Sequence, residues 1–200
     1  MRGMLIIISG ASGAGKGTII KELLEHEKFS LSVSRTTRTP RVGEIDGIHY
    51  YFTSRAEFER LIDENAFFEY AEYNGNYYGT PIENVEKKLA EGTNVILEIE
   101  VQGALKIMDF YGNPFFSIFM LPPSLTELEK RLRERGTQAE DDILRRLKIA
   151  QSEVLYVDRY DYFVVNDTVE KAVFDILNIV NTEKLRTKYC NALLQKGGFI

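Results

Sequence analysis

Gly10, Gly13, Gly15 and Gly17 surround Lys16 in the stretch Gly10-Ala-Ser-Gly-Ala-Gly-Lys-Gly-Thr18, directly after the apolar run Met4–Ile8. Glycines let a backbone take positive φ and turn its N–H groups inward, so such a run forms a concave nest for anionic oxygens at the positive end of a following helix. Lys16 adds a full positive charge. The spacing Gly10-x4-Gly15-Lys16, with Ala11, Ser12 and Ala14 between the glycines, is that of a P-loop, and the chemistry it points to is the binding of nucleotide phosphates. Gly17 occupies the position where the motif has Ser or Thr, and the hydroxyl of Thr18 comes one residue later, which leaves the metal contact open. The competing reading, a flexible glycine-rich turn, sits poorly with the strand and helix patterns on either side.

Further cations are gathered at two places. Arg35, Arg38 and Arg41 lie within seven residues around Pro40, an irregular spacing that suits a loop collecting guanidinium groups on one phosphate. A solvated basic loop is the alternative, and the segment alone does not decide between them. Arg131, Arg133 and Arg135, then Arg145 and Arg146, bracket Gly136–Asp142. Arg131 and Arg135 are four apart and share a helical face, whereas Arg133 points elsewhere and is expected to be solvated. Glu98 and Glu100 close an apolar strand, which in open parallel sheets is the end where ligands bind.

The elements that position these groups follow from periodicity. Met4–Ile8, Asn94–Glu100, Phe115–Leu121 and Tyr162–Val165 read as buried strands, and helical patterns follow each of them. Alternation of strand and helix predicts a parallel sheet with helices on both faces and right-handed crossovers. Ser54-x-x-Glu57 and Ser124-x-x-Glu127 are capping boxes. Asn74-Gly75 between Phe67–Tyr73 and Tyr77-Tyr78 predicts a hairpin, so residues from about Ser34 to Thr80 form a small α+β insertion. Thr80 also precedes a helix whose first turn would hold Pro81, so N-capping alone would account for it. The 200 residues exceed one typical domain by about half, and a net charge of −5 argues against a polybasic nucleic-acid surface. Cys190 is the one cysteine and there are two histidines, which excludes an internal disulfide, disfavours a zinc site and fits a cytoplasmic location. The N-terminal apolar run is too short to span a membrane.

In this order the motifs resemble those of the guanylate kinase family over nearly the whole chain. They are Gly10–Thr18, Ser32-Val-Ser-Arg-Thr-Thr-Arg-Thr-Pro-Arg41 with Gly43-Glu44, the Tyr50 strand, Gly75-Asn-Tyr-Tyr-Gly79, Leu97-Glu-Ile-Glu-Val-Gln-Gly103, Arg131-x3-Arg135-Gly-Thr137 and Val165-Asn-Asp167. The resemblance implies the P-loop nucleoside-monophosphate-kinase fold as a single domain 1–200: core 1–33, 84–124 and 151–200, a GMP-binding insertion at 34–83, and a helical lid at 125–150. It implies transfer of the ATP γ-phosphoryl group to GMP with Mg²⁺ on the donor phosphates, a step of purine nucleotide metabolism, with no nucleic-acid or membrane partner. Oligomeric state is not legible.

Carried over by position, Gly10–Thr18 and Asn166 would hold ATP. Ser34, Arg38, Arg41, Tyr50, Glu69, Tyr78, Thr80 and Glu100 would hold GMP, with the arginines and tyrosines on its phosphate. Lys16, Arg38, Arg131, Arg135 and Arg146 would serve the transferred group, and Thr18 and Glu98 would be the protein's contacts to the metal. The base chemistry can be checked independently: a carboxylate accepts both the N1–H and N2–H₂ donors of guanine, and O6 accepts from a hydroxyl such as Ser34 or Thr80. Glu98 and Glu100 stand where family members often have Asp, and Thr80 where Ser is frequent. Two alternatives remain: a guanylate-kinase-like interaction module without catalysis, against which Lys16 argues, and a kinase for another acceptor, against which Glu69 and Ser34 argue.

Overall fold

The computed structural model describes residues 2–26, 28–111, 115–134 and 139–187. Its main sheet has the strand order β2-β7-β1-β8-β9, from β1 (Leu5–Gly10), β2 (Phe29–Leu31), β7 (Asn94–Glu98), β8 (Phe115–Leu121) and β9 (Tyr162–Val165). β1 and β2 run parallel to β7, and β8 parallel to β9. Near-continuous apolar strands such as Leu5–Ile8 and Val95–Leu97 are what a sheet covered on both faces requires, and these residues are buried. The fold is therefore the α/β class expected from the alternating pattern. No helix among the described residues is long and apolar enough to cross a membrane.

Two compact units divide the chain, Gly10–His26 with Ile118–Ile200, and Arg2–Ser9 with Glu27–Ser117. The first contains α1 (Lys16–Leu24), α5 (Leu125–Glu134), α6 (Glu140–Val154), a 3₁₀ turn at Val157–Arg159 and α7 (Val169–Glu183). Helix α1 buries Ile19, Ile20 and Leu23, and α7 packs on it with Val173, Ile176 and Val180 also buried. Helix α5 starts as its capping box predicts, with the Ser124 hydroxyl accepting the Glu127 N–H at 3.0 Å.

The second unit adds a smaller sheet of order β4-β3-β6-β5, from β3 (Arg35–Thr36), β4 (Tyr51–Phe52), β5 (Phe67–Tyr73) and β6 (Asn76–Pro81). Helices α2 (Arg55–Asp63), α3 (Ile82–Ala90) and α4 (Val101–Tyr111) complete it. Asn74 (φ 50°) and Gly75 (φ 76°) are both left-handed, the conformation a two-residue hairpin turn needs to match strand twist. Phe58 of α2 is fully buried and stacks on Phe67 at 4.4 Å and on Tyr77 at 5.2 Å. Space at Gly79 is tight, because a Cβ would lie 3.0 Å from the Glu69 carbonyl oxygen and from both the Phe58 and Phe67 rings.

Several boundaries differ from the sequence pattern. The Tyr50 strand is shorter than the aromatic run suggested: Tyr50 precedes β4 and makes only an isolated bridge to Asp46. β7 ends at Glu98 and α4 opens at Val101, so Glu100 lies outside the strand and the shared-face rule for residues two apart has nothing to act on. Pro81 is the N-cap of α3 and not its first helical residue, and Thr80 does not cap the helix. Its hydroxyl is committed elsewhere.

Candidate active site

In the first unit the phosphate loop turns sharply between β1 and α1. At Gly10 (φ 142°) a Cβ would stand 2.2 Å from the Met120 carbonyl oxygen, and at Gly15 (φ 88°) 2.4 Å from the Asn166 amide nitrogen. Both positions need glycine for conformation and for close approach. Gly15 is also the N-cap of α1 and offers no side-chain cap, so the first N–H groups of the helix are available to an anion at its positive end. Lys16 is half-buried and its Nζ donates to the Gly10 carbonyl at 2.9 Å, across the loop it serves.

Side chains distant in sequence hold this loop in shape. The Asn166 amide is buried and donates to the Ala14 carbonyl at 2.8 Å, while Arg146 Nε donates to the Ser12 hydroxyl at 3.4 Å. Arg131 donates from Nη1 to the Asn166 carbonyl at 2.9 Å and from Nη2 to the Asp167 carbonyl at 3.2 Å, and its Nε is paired with Glu127. Lys16, Arg131, Arg146 and Asn166 thus form one connected network around the loop. Arg133, expected in solvent, is exposed but bridges Glu129 and Glu140, joining α5 to α6. Arg135 and the glycine-containing segment after it lie outside the described residues.

Gly17 and Thr18 are both exposed, and a Cβ on Gly17 would meet nothing within 4 Å. The missing hydroxyl at that position therefore has no steric cause. Among the described residues no cluster of three His, Cys, Asp or Glu side chains is placed to hold a metal ion. The exposed Thr18 offers a single hydroxyl, a donor set that would fit a Mg²⁺ ion brought by nucleotide phosphates and still largely hydrated, not a closed protein cage.

In the second unit two groups of expected ligand residues assemble. Arg38 lies 5.4 Å from the Tyr50 ring centre and 5.9 Å from that of Phe52, and Tyr50 meets Tyr78 edge-on at 6.0 Å. Glu44 fixes this guanidinium: Oε1 accepts Arg38 Nη2 at 2.7 Å and Oε2 accepts the Arg41 N–H at 2.7 Å. The hydrogen bond from Arg38, then that from the Arg41 backbone, pull the Glu44 carboxyl down to about 2. Glu44 lies in the motif that carries the resemblance, and the sequence signal for its role is a carboxylate three residues after Arg41 in a glycine-bounded loop. Arg41 itself is exposed.

The other group is built on a bulge. The register of β5 against β6 shifts between Phe67 and Tyr70, and bulges re-aim side chains. Within the shift, Glu69 Oε1 accepts the Thr80 hydroxyl at 2.7 Å, and Thr80 is only 1% exposed. Burial pushes the Glu69 carboxyl up from the ordinary range, opposed by the Thr80 hydroxyl, the charge of Lys106 and the Thr80 N–H. Glu69 and Lys106 line one cavity of about 630 Å³ together with Phe67, Phe68 and Tyr70. Lys106, on α4, was not singled out in the sequence, because no local pattern links a helical lysine to a strand 37 positions earlier. Ser34 is half-buried, with its carbonyl accepting the Tyr51 N–H at 2.9 Å. Glu98 and Glu100 are both exposed, and the Glu100 carbonyl accepts the Ala104 N–H at 2.9 Å as α4 begins.

A sequence model of the guanylate kinase family matches residues 2–183. The chain is 52% identical over 186 residues to the guanylate kinase of Caldanaerobacter subterraneus subsp. tengcongensis, covering 92% of this chain and 90% of that one. It is 51% identical over 201 residues to the guanylate kinase of Clostridium tetani, covering 100% and 96%. The crystal structure of guanylate kinase from Anaplasma phagocytophilum superposes with a TM-score of 0.70 at 36% identity, covering 97% of this chain and 94% of that one.

Proposed function

The chain belongs to the guanylate kinase family, and from that premise we propose how its own residues carry the transfer of the ATP γ-phosphoryl group to GMP, giving ADP and GDP. The observation that carries the acceptor assignment is the Glu69–Thr80 pair. Guanine presents N1–H and N2–H₂ side by side, and a carboxylate accepts both. Adenine lacks that pair of donors and would leave a desolvated carboxylate unsatisfied, a defect that sites of this kind reject by roughly 10⁴. Because the Thr80 hydroxyl already donates to Glu69, Thr80 acts by holding the carboxylate, which leaves O6 to Ser34. Arg38, oriented by Glu44, takes the GMP phosphate with Tyr50, Tyr78 and Arg41. Glu100 is exposed, and its guanine contact rests on the family resemblance alone.

On the donor side the N–H groups of Gly13, Gly15, Lys16 and Gly17 and the Lys16 ammonium take the ATP phosphates. Phosphoryl transfer spreads negative charge over equatorial oxygens, so fixed positive groups lower the barrier by positioning and electrostatics. Arg131, Arg135 and Arg146 supply such charge from the lid segment 125–150. Arg131 now spends its donors on backbone carbonyls, and these bonds keep Asn166 in register with the loop; Asn166 borders the adenine. Mg²⁺, when bound, would neutralise charge on the donor phosphates; Thr18 is the residue of this loop that would hold it, and Glu98 is given the same role by the family resemblance alone. Cytoplasmic residence is supported by the lone cysteine.

A coupled assay offering GMP, dGMP, AMP, UMP and CMP with ATP tests the reading. GMP is expected to be the best acceptor; preference for any non-guanine nucleotide would overturn the role given to Glu69.

A further inference from the structure

Helix α6 reaches the phosphate loop with a carboxylate as well as a cation. Glu153 Oε2 accepts the Ser12 backbone N–H at 2.7 Å, and Arg146, seven residues earlier and so on the same face, donates to the hydroxyl of that same serine. Ser12 is gripped at both its backbone and its side chain by one helix. Two features make the carboxylate unexpected. Glu153 lies in the last turn of α6, a turn with no basic residue of its own, where the helix dipole disfavours negative charge. It also lies beside a loop built for anions, where an uncommitted carboxylate would repel the ligand.

The pattern of loop hydrogen bonds resolves this. The N–H groups of Ala11, Ser12 and Ala14 go to protein acceptors, namely the Met120 carbonyl at 3.1 Å, Glu153, and the Ala11 carbonyl at 3.0 Å. Among the described residues those of Gly13 and Gly15 have no such acceptor. The loop therefore separates donors that fix its shape from donors left for phosphate, and Glu153 terminates the one shape-fixing donor that the loop and sheet backbones do not reach.

We infer that Glu153 is a positioning residue for the phosphate loop: its carboxylate holds the Ser12 N–H away from the ligand and, with Arg146, sets the register between α6 and the loop. The inference rests on reading the loop as the site of the ATP phosphates. Glu153→Ala removes the acceptor, whereas Glu153→Gln keeps an oxygen for the Ser12 N–H and removes only the charge. Steady-state kinetics should give a KM for ATP raised about tenfold in Glu153→Ala, the scale of one hydrogen bond to a charged group. The KM for GMP should be unchanged, and Glu153→Gln should stay within about threefold of the parent for ATP. In amide NMR spectra of the free protein the Ser12 N–H should move upfield in Glu153→Ala and less so in Glu153→Gln.

An ATP KM unchanged or lowered in Glu153→Ala, or a glutamine variant as impaired as the alanine one, would overturn the inference. Lys16→Ala is run in parallel. If it too leaves ATP binding and turnover intact, the donor-site reading has failed; if it is impaired while Glu153→Ala is not, the inference alone has failed.

Discussion

Thr80→Val is the sharpest probe of the acceptor site, because it deletes one hydroxyl and keeps the shape. The bond it removes is short, 2.7 Å between Oγ1 and Oε1, in the range of hydrogen bonds to an ionised oxygen. Thr80 is 1% exposed, so water does not take the place of the hydroxyl. A hydrogen bond to a charged group contributes about 1.5–3 kcal/mol net, and folding stability should fall by an amount on that scale. GMP binding loses something different. Without the hydroxyl, Glu69 must be ordered by the ligand, and the rotamer freedom of a glutamate costs up to about 2 kcal/mol, which places the rise in KM for GMP at roughly tenfold.

The pH dependence gives a second readout with a definite sign. Burial raises the Glu69 carboxyl and the Thr80 hydroxyl opposes that rise. Removing the hydroxyl leaves only the Thr80 N–H and Lys106 to oppose it, so the carboxylate takes up its proton at higher pH. The acid limb of kcat/KM for GMP should therefore move to higher pH, with the ATP parameters unaffected. Because the folded-state value is raised, this group's contribution to stability is present at low pH and is lost as pH rises through the folded value. Thr80→Ser is the control and should behave as the parent does. A KM for GMP within twofold of the parent in Thr80→Val, with no shift of the acid limb, would refute the claim that Thr80 works through Glu69.

Lys16→Ala should lose mainly kcat, since the ammonium serves charge that develops on the phosphates; an unchanged kcat in a single-turnover measurement would remove it from the mechanism. Glu69→Gln should raise the KM for GMP and narrow the gap between GMP and AMP, because an amide has one acceptor oxygen and turns a donor toward guanine; unaltered selectivity would make Glu69 structural. The Arg38–Glu44 pair should persist down to acid pH. With the Glu44 carboxyl lowered from 4.5 to about 2, its stabilising effect is present above the unfolded value and is lost as pH falls towards 2. Carboxyl-carbon NMR titration of Glu44 reads this directly, and a midpoint near 4.5 would mean the pair does not form in solution. Gly17→Ser should be accepted without loss of stability, since a Cβ there meets nothing within 4 Å; a drop in melting temperature of several degrees would show otherwise.

The local rules were sufficient wherever the chain's own neighbours decide its conformation. The loop Gly10–Thr18, the capping boxes at Ser54 and Ser124 and the Asn74-Gly75 turn were legible because each is a short-range demand on φ/ψ or on an N–H group, met by residues a few positions apart. The Ser54 and Ser124 hydroxyls do accept the Glu57 and Glu127 N–H groups. Alternating strands and helices gave the parallel sheet for the same reason, since the burial of β1, β7 and β8 is written in their unbroken apolar runs. Tertiary structure decided which polar groups meet. Thr80 carried two compatible local readings, capping and ligand contact, and packing chose a third in which a bulge in β5 brings Glu69 under its hydroxyl. Glu44 on Arg38, Lys106 beside Glu69, and Glu153 on Ser12 are pairings of charge with donor across loops and helices, up to 141 positions apart in the last case. Sequence periodicity reports which face of an element is apolar; it carries no information on which distant polar atom will satisfy a given N–H, because that choice is made only when the elements close on one another.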